Sequence, residues 1–189
     1  MQQWLFLSLA ALLLAAGCKK NDPEAGLSPA TQEGKNTAGC LINGEVFSAT
    51  GFGSGPSRVA GIAGGFGEDS LYNLRLNGKA GGKEYSLSLF IVNFPRTGRS
   101  LVGTYQLNKD TPYWPQEIFS RCQSHATVTP NDYAGGLYGT TSIYTGQVQI
   151  TRADKLHNIA SGTFEFTAVN NLDPNKTLRV TSGRFDRQQ

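Results

Sequence analysis

From about Gly39 to the end of the chain, apolar and polar residues alternate with a period close to two, the spacing that sends successive side chains to opposite faces of a strand. Ser70 to Asn77 shows it most clearly, with Tyr72, Leu74 and Leu76 on one face and Asn73, Arg75 and Asn77 on the other. Glu84 to Phe94 is the most apolar stretch. Tyr85, Leu87, Leu89 and Ile91 share one of its faces and Phe90, Val92 and Phe94 the other, so its later half is expected to be central and buried on both sides. Further strands are expected over Arg58 to Phe66, Leu101 to Leu107, Ser124 to Val128, Thr141 to Thr151, Ser161 to Val169 and Leu178 to Phe185. Cys40-Leu41-Ile42 and Glu45-Val46-Phe47 flank Asn43-Gly44, two residues that tolerate the positive φ of a type I′ turn, and so predict a hairpin. Gly78 to Lys83 and Asn170 to Asn175 read as turns, and the prolines of Thr111-Pro112-Tyr113-Trp114-Pro115 make Asn108 to Phe119 a loop. About nine strands, no helical period and turns at short intervals predict an all-β domain, a single antiparallel β-sandwich or barrel.

Ahead of this pattern lies a different one. Trp4 to Ala16 is an apolar run shorter than the roughly 20 residues that span a bilayer, and it closes on Ala16-Gly17-Cys18. Small residues before a cysteine are what lipoprotein signal peptidase requires, and the thiol carries the diacylglycerol. Residues 1–17 are therefore expected to be a lipoprotein signal peptide, with Cys18 the lipidated residue and the membrane a partner through that anchor. Lys19 to Thr37 is rich in Lys, Asn, Pro, Gly and Glu and almost free of large apolar residues, so residues 18–38 are expected to be a flexible tether and residues 39–189 the folded domain. The expected location is the cell envelope, at the outer membrane, with the periplasmic and surface faces both open.

Leu27-Ser28-Pro29-Ala30-Thr31-Gln32-Glu33-Gly34-Lys35-Asn36-Thr37-Ala38-Gly39-Cys40-Leu41-Ile42-Asn43-Gly44 closely resembles the start of a group of Bacteroidota envelope lipoproteins with a domain of unknown function, which typically reads LPPATQ.G.NTFGCLVNG. Ser28 and Ala38 depart from it. The later segments Ser161-Gly162-Thr163-Phe164 and Ser182-Gly183-Arg184-Phe185-Asp186 are similar to the same group. The resemblance implies envelope placement and a β fold, and no activity.

Charge points to no nucleic-acid partner. Seventeen Lys and Arg against fourteen Asp and Glu are nearly balanced and imply no polybasic patch for nucleic acid or anionic lipid. Of three cysteines, Cys40 and Cys122 remain after Cys18, and in an oxidising compartment they either pair, which would stabilise by roughly 4 kcal/mol, or stay as two buried thiols. His125 and His157 are the only histidines and neither belongs to a short-spaced ligand cluster, so no metal and no cofactor is expected. Asp173-Pro174-Asn175 reads as a turn rather than a calcium loop. Glu68-Asp69 point apart in any extended context, and no nucleophile elbow is present.

The remaining candidates are weaker patterns. Tyr113, Trp114 and Phe119, with Tyr133 and Tyr138 nearby, would present flat rings to a sugar or a protein, or else plug one end of the core. Asp69-Ser70-Leu71 resembles the acceptor triplet of the general O-glycosylation system of Bacteroidota, which makes Ser70 a candidate modification site. The expected function is a noncatalytic lipoprotein that binds a glycan, peptide or partner protein. An envelope hydrolase with a site assembled across strands, and a structural part of an outer-membrane assembly, are the alternatives.

Overall fold

The computed structural model describes residues 22–67, 71–92, 101–110, 123–132 and 135–189. Its strands are β1 (Thr37–Ile42), β2 (Glu45–Ser48), β3 (Ile62–Phe66), β4 (Tyr72–Ala80), β5 (Lys83–Ile91), β6 (Gly103–Leu107), β7 (His125–Pro130), β8 (Tyr138–Gly139), β9 (Gly146–Asp154), β10 (Ile159–Asn170) and β11 (Thr177–Gln188). All pair antiparallel. Eight of them close a ring in the order β11-β1-β2-β4-β5-β7-β8-β10 and back to β11, so the domain is a barrel. β3 is added to β4, and β9 with β6 to β10.

Two joints close the ring. At one, β4 meets β2 through Ser48 and Lys79 alone, while its Tyr72 to Leu76 half pairs with β3. At the other, the two residues of β8 bridge β7 and the end of β10, whose earlier part pairs with β9. Every strand turns its apolar alternate positions inward. Tyr72, Leu74, Leu76, Leu87, Leu89, Ile91, Val128, Val148, Ile150, Phe164, Phe166, Val180 and Phe185 form one core.

The Asn43-Gly44 hairpin forms as expected, with φ of 50° and 86°. Other boundaries differ for identifiable reasons. β4 runs on through Gly78 to Ala80 and turns at Gly81-Gly82, both at positive φ; a side chain at Gly78 would strike the Ser48 carbonyl, so glycine there serves the joint and not a turn. Asn77, expected on a polar outer face, is buried: its amide donates to the Ala60 carbonyl (2.7 Å) and accepts from the Ser86 hydroxyl (2.7 Å), which fixes the chain of residues 49–61 over it. Thr141 to Tyr144 is not strand. The Thr141 hydroxyl accepts the Ile143 and Tyr144 amides in a local turn, and Ile143 is exposed. Cys40 is a free thiol enclosed by the barrel, which pushes its pKa up; a bridge to Cys122, which lies outside the described residues, is not seen.

The repeated Ser-Gly-x-Phe has a structural origin. β10 and β11 align Gly162 with Phe185 and Phe164 with Gly183, so each glycine lies beneath the ring supplied by the other strand. A Cβ on Gly183 would come within 2.5 Å of the Phe164 ring, and one on Gly162 within 3.1 Å of Phe185. The two rings continue into Tyr72 and Phe66, building an aromatic column through the core. Gly183→Ala is expected to cost about 2 kcal/mol by forcing the Phe164 ring aside, read as a lower midpoint in denaturant unfolding.

Candidate functional site

Outward-facing residues of β6, β9, β10 and β11 line up in two polar rows. Thr104, Gln149, Thr163 and Arg184 are cross-strand neighbours in one, Gln106, Gln147 and Glu165 in the other. The rows arise because the inward alternates, Val148, Ile150, Phe164 and Phe166, are committed to the core. Between Phe164 and Phe166 the register of β10 on β11 shifts, and Ser182 takes φ 52°. This bulge turns Ser182 towards the same face. The result is a groove of about 390 Å³ lined by Glu24, Gln147, Gln149, Thr163, Ser182 and Arg184 among others, adjoining a second of about 320 Å³ that reaches Gln106, Thr167 and Arg179. Gln147 and Glu165 belong to both.

One wall of the first groove comes from the N-terminal segment. Residues 31–35, expected within a flexible tether, are built into the barrel by Asp186 on β11. Its carboxylate accepts hydrogen bonds from the Thr31 hydroxyl (2.6 Å), the amides of Glu33 (3.0 Å), Gly34 (2.8 Å) and Lys35 (3.1 Å), and the Ser161 hydroxyl (2.7 Å). Burial works to raise the Asp186 pKa, but the two hydroxyls and the backbone amides outweigh it and hold the carboxyl well below the usual carboxylate range. Arg152 donates to the Gln32 carbonyl, and Asn36 accepts from Arg187 (2.6 Å) and the Gln188 amide (3.1 Å). Ahead of this fastening, Leu27 packs near Gly39 and Gly26 against Val46, which brings Glu24 to the groove. There the Ser182 hydroxyl donates to Glu24 Oε1 (2.6 Å) and Arg184 Nη2 to Oε2 (2.7 Å).

A third cavity, of about 330 Å³ and more apolar, lies on the opposite side of the barrel between Leu71, Asn73, Arg75, Ser88 and Phe90. Phe90 stacks on His125 at 4.6 Å. His125 is buried, its Nδ1 2.6 Å from the Gln123 carbonyl, and burial lowers its pKa, so it is a neutral structural imidazole. His157 is exposed and bonds to Asp154 (2.8 Å). Among the described residues no three His, Cys, Asp or Glu side chains come together as a metal cluster. In the Asn170 to Asn175 turn, the Asn170 side-chain oxygen accepts the Leu172 and Asp173 amides, which is Asx-turn geometry.

Of the candidate residues named from the sequence, Cys18, Ser70, Tyr113, Trp114, Phe119, Cys122 and Tyr133 lie outside the described residues. Tyr138 is half-buried in β8, at a barrel joint, and packs on the core. The groove residues were not singled out in the sequence. Their signal was present in the polar alternates of β9 and β10, and in the serines of the two Ser-Gly-x-Phe segments, which reach Asp186 and Glu24 respectively.

A family model described as a domain of unknown function, DUF6252, matches residues 74–187, more than half of the chain. The chain belongs to this family. No curated protein and no solved structure matches it. The DUF6252 match takes in both polar rows, both Ser-Gly-x-Phe segments and Asp186, and does not extend back to Leu27 to Gly44.

Asp186→Asn places amide hydrogens against a ring of donors and is expected to lower stability by about 3 kcal/mol at pH 7. Because the folded-state pKa is depressed, the wild-type contribution is full above the unfolded value of about 3.9 and is lost as pH falls from there through the lower folded-state value. Thermal melts of both proteins from pH 7 to pH 2.5 should therefore draw together towards the acid end.

Proposed function

We propose that this chain is a lipid-anchored envelope protein whose barrel is a noncatalytic module binding a polar, extended ligand, a glycan first of all, in the grooves across β9, β10 and β11. The observation that carries the reading is the lining: amides, hydroxyls, a guanidinium group and the Glu165 carboxylate in two registered rows, the donor and acceptor set that sugar hydroxyls satisfy. The groups with strongly displaced pKa values are committed elsewhere. Cys40 and Tyr72 are in the core, and Asp186 is fully engaged in its fastening. The hydrolase alternative draws on Glu24 and Glu165 lining one groove, but Glu24 is held by Ser182 and Arg184, and Glu165 accepts the Gln147 amide (3.0 Å).

The anchor is read from Ala16-Gly17-Cys18, and placement in the cell envelope from the likeness of Leu27 to Gly44. Labelling with a palmitate analogue in the native host is expected to mark the wild type and not Cys18→Ala, which should leave the membrane fraction. Label retained by Cys18→Ala would refute the anchor. On a glycan array, Gln149→Ala with Gln147→Ala should reduce binding at least about tenfold without changing the melting temperature, whereas Tyr113→Ala with Trp114→Ala should leave it intact. The reverse pattern would move the site to the aromatic loop.

A further inference from the structure

We infer that Glu24 is an intramolecular occupant of a carboxylate subsite, and that the ligand this subsite takes is an acidic sugar. The inference rests on the groove reading above and adds the ligand's charge. Ser182 and Arg184 grip one oxygen each of the Glu24 carboxylate, an arrangement that reads the carboxylate itself and nothing of the chain that carries it. The Arg184 side chain is only 18% exposed and belongs to β11, whereas that of Glu24 is 45% exposed and reaches the groove from a segment outside the strands. Ser182 keeps its position at φ 52°, a conformation that costs a non-glycine residue free energy and persists only where the surroundings impose it.

The neighbours indicate what enters when Glu24 leaves. Thr163 and Gln149 continue the cross-strand row from Arg184, and Gln147, bonded to Glu165, follows in the next row, so the positive charge has hydroxyl and amide groups beside it and the Glu165 carboxylate one row further along the groove. A uronic acid fits that order: its carboxylate on Ser182 and Arg184, its ring hydroxyls and those of the next residue on Thr163, Gln149 and Gln147. The segment carrying Glu24 need not detach, since Asp186 fastens residues 31–35 independently. Glu24 therefore competes with the ligand and weakens its apparent affinity by the fraction of time it occupies the subsite.

The test is calorimetric titration of the full-length protein in detergent with trigalacturonate, maltotriose and an acidic peptide of equal charge. Vacating the subsite with Glu24→Ala should tighten trigalacturonate binding about fivefold, the scale of one partly exposed ion pair, and leave maltotriose unchanged. Arg184→Gln should abolish the preference for the acidic sugar. Ser182→Gly, which suits the positive φ and removes only the hydroxyl, should weaken it while keeping the fold. Equal trigalacturonate affinity in wild type and Glu24→Ala would overturn the inference. Maltotriose binding with no gain for the acidic sugar would overturn it and leave the groove reading standing, and failure of both sugars on every variant would overturn both. Tighter binding of the peptide alone would overturn the assignment to a sugar.

Discussion

A carboxylate taken out of water must be given hydrogen-bond donors or give up its charge, and in this barrel that constraint falls on Asp186. Five donors meet it, four of them from residues 31–35, whose own composition could not fold them. The segment is ordered because the barrel offers an acceptor that has to be satisfied, and the acceptor keeps its charge because the segment supplies amides. Gly34 and Asn36, at φ 77° and 55°, let successive amides converge on one carboxylate in the manner of an anion nest. Ahead of Thr31, this fastening and the packing of Leu27 near Gly39 and of Gly26 against Val46 together bring Glu24 to the groove.

A second constraint acts between β10 and β11. The reciprocal placement of Gly162 under Phe185 and Gly183 under Phe164 fixes their register, and the bulge beside it turns Ser182 outward. The same four-residue pattern, used twice, thus gives the core two rings and supplies two serine hydroxyls aimed at carboxylates. Packing inside the barrel and polar geometry outside it are consequences of one pairing. A shift of one residue would exchange the inner and outer sets along both strands.

Much of the fold was legible in the sequence because it is written in local patterns. The alternation of Tyr72, Leu74 and Leu76, the Asn43-Gly44 turn and the final pair of strands read directly. What was not legible depends on distant partners. The polar composition of Thr31 to Asn36 reads as tether until Asp186, some 150 residues away, is known to lie beside it. Asn77 reads as solvent-facing until the chain of residues 49–61 is laid over it, and Thr141 to Tyr144 reads as strand until Asp110, which accepts the Ser142 amide, is known to lie beside it. The groove suffered in the same way. Its residues were visible as the polar alternates of strands, but a row becomes a site only when register sets Gln149 beside Thr163 and Arg184, and register is a property of pairs.

The most direct test of the mutual dependence is native-state hydrogen exchange at the amides of Glu33, Gly34 and Lys35. If Asp186 holds them, they exchange only when the barrel opens, with protection close to that of the β10 and β11 core amides and slowing together with it as stability rises. Exchange near the rate of an unstructured peptide, while β10 and β11 remain protected, would show that the segment is a tether after all and that the barrel satisfies Asp186 without it.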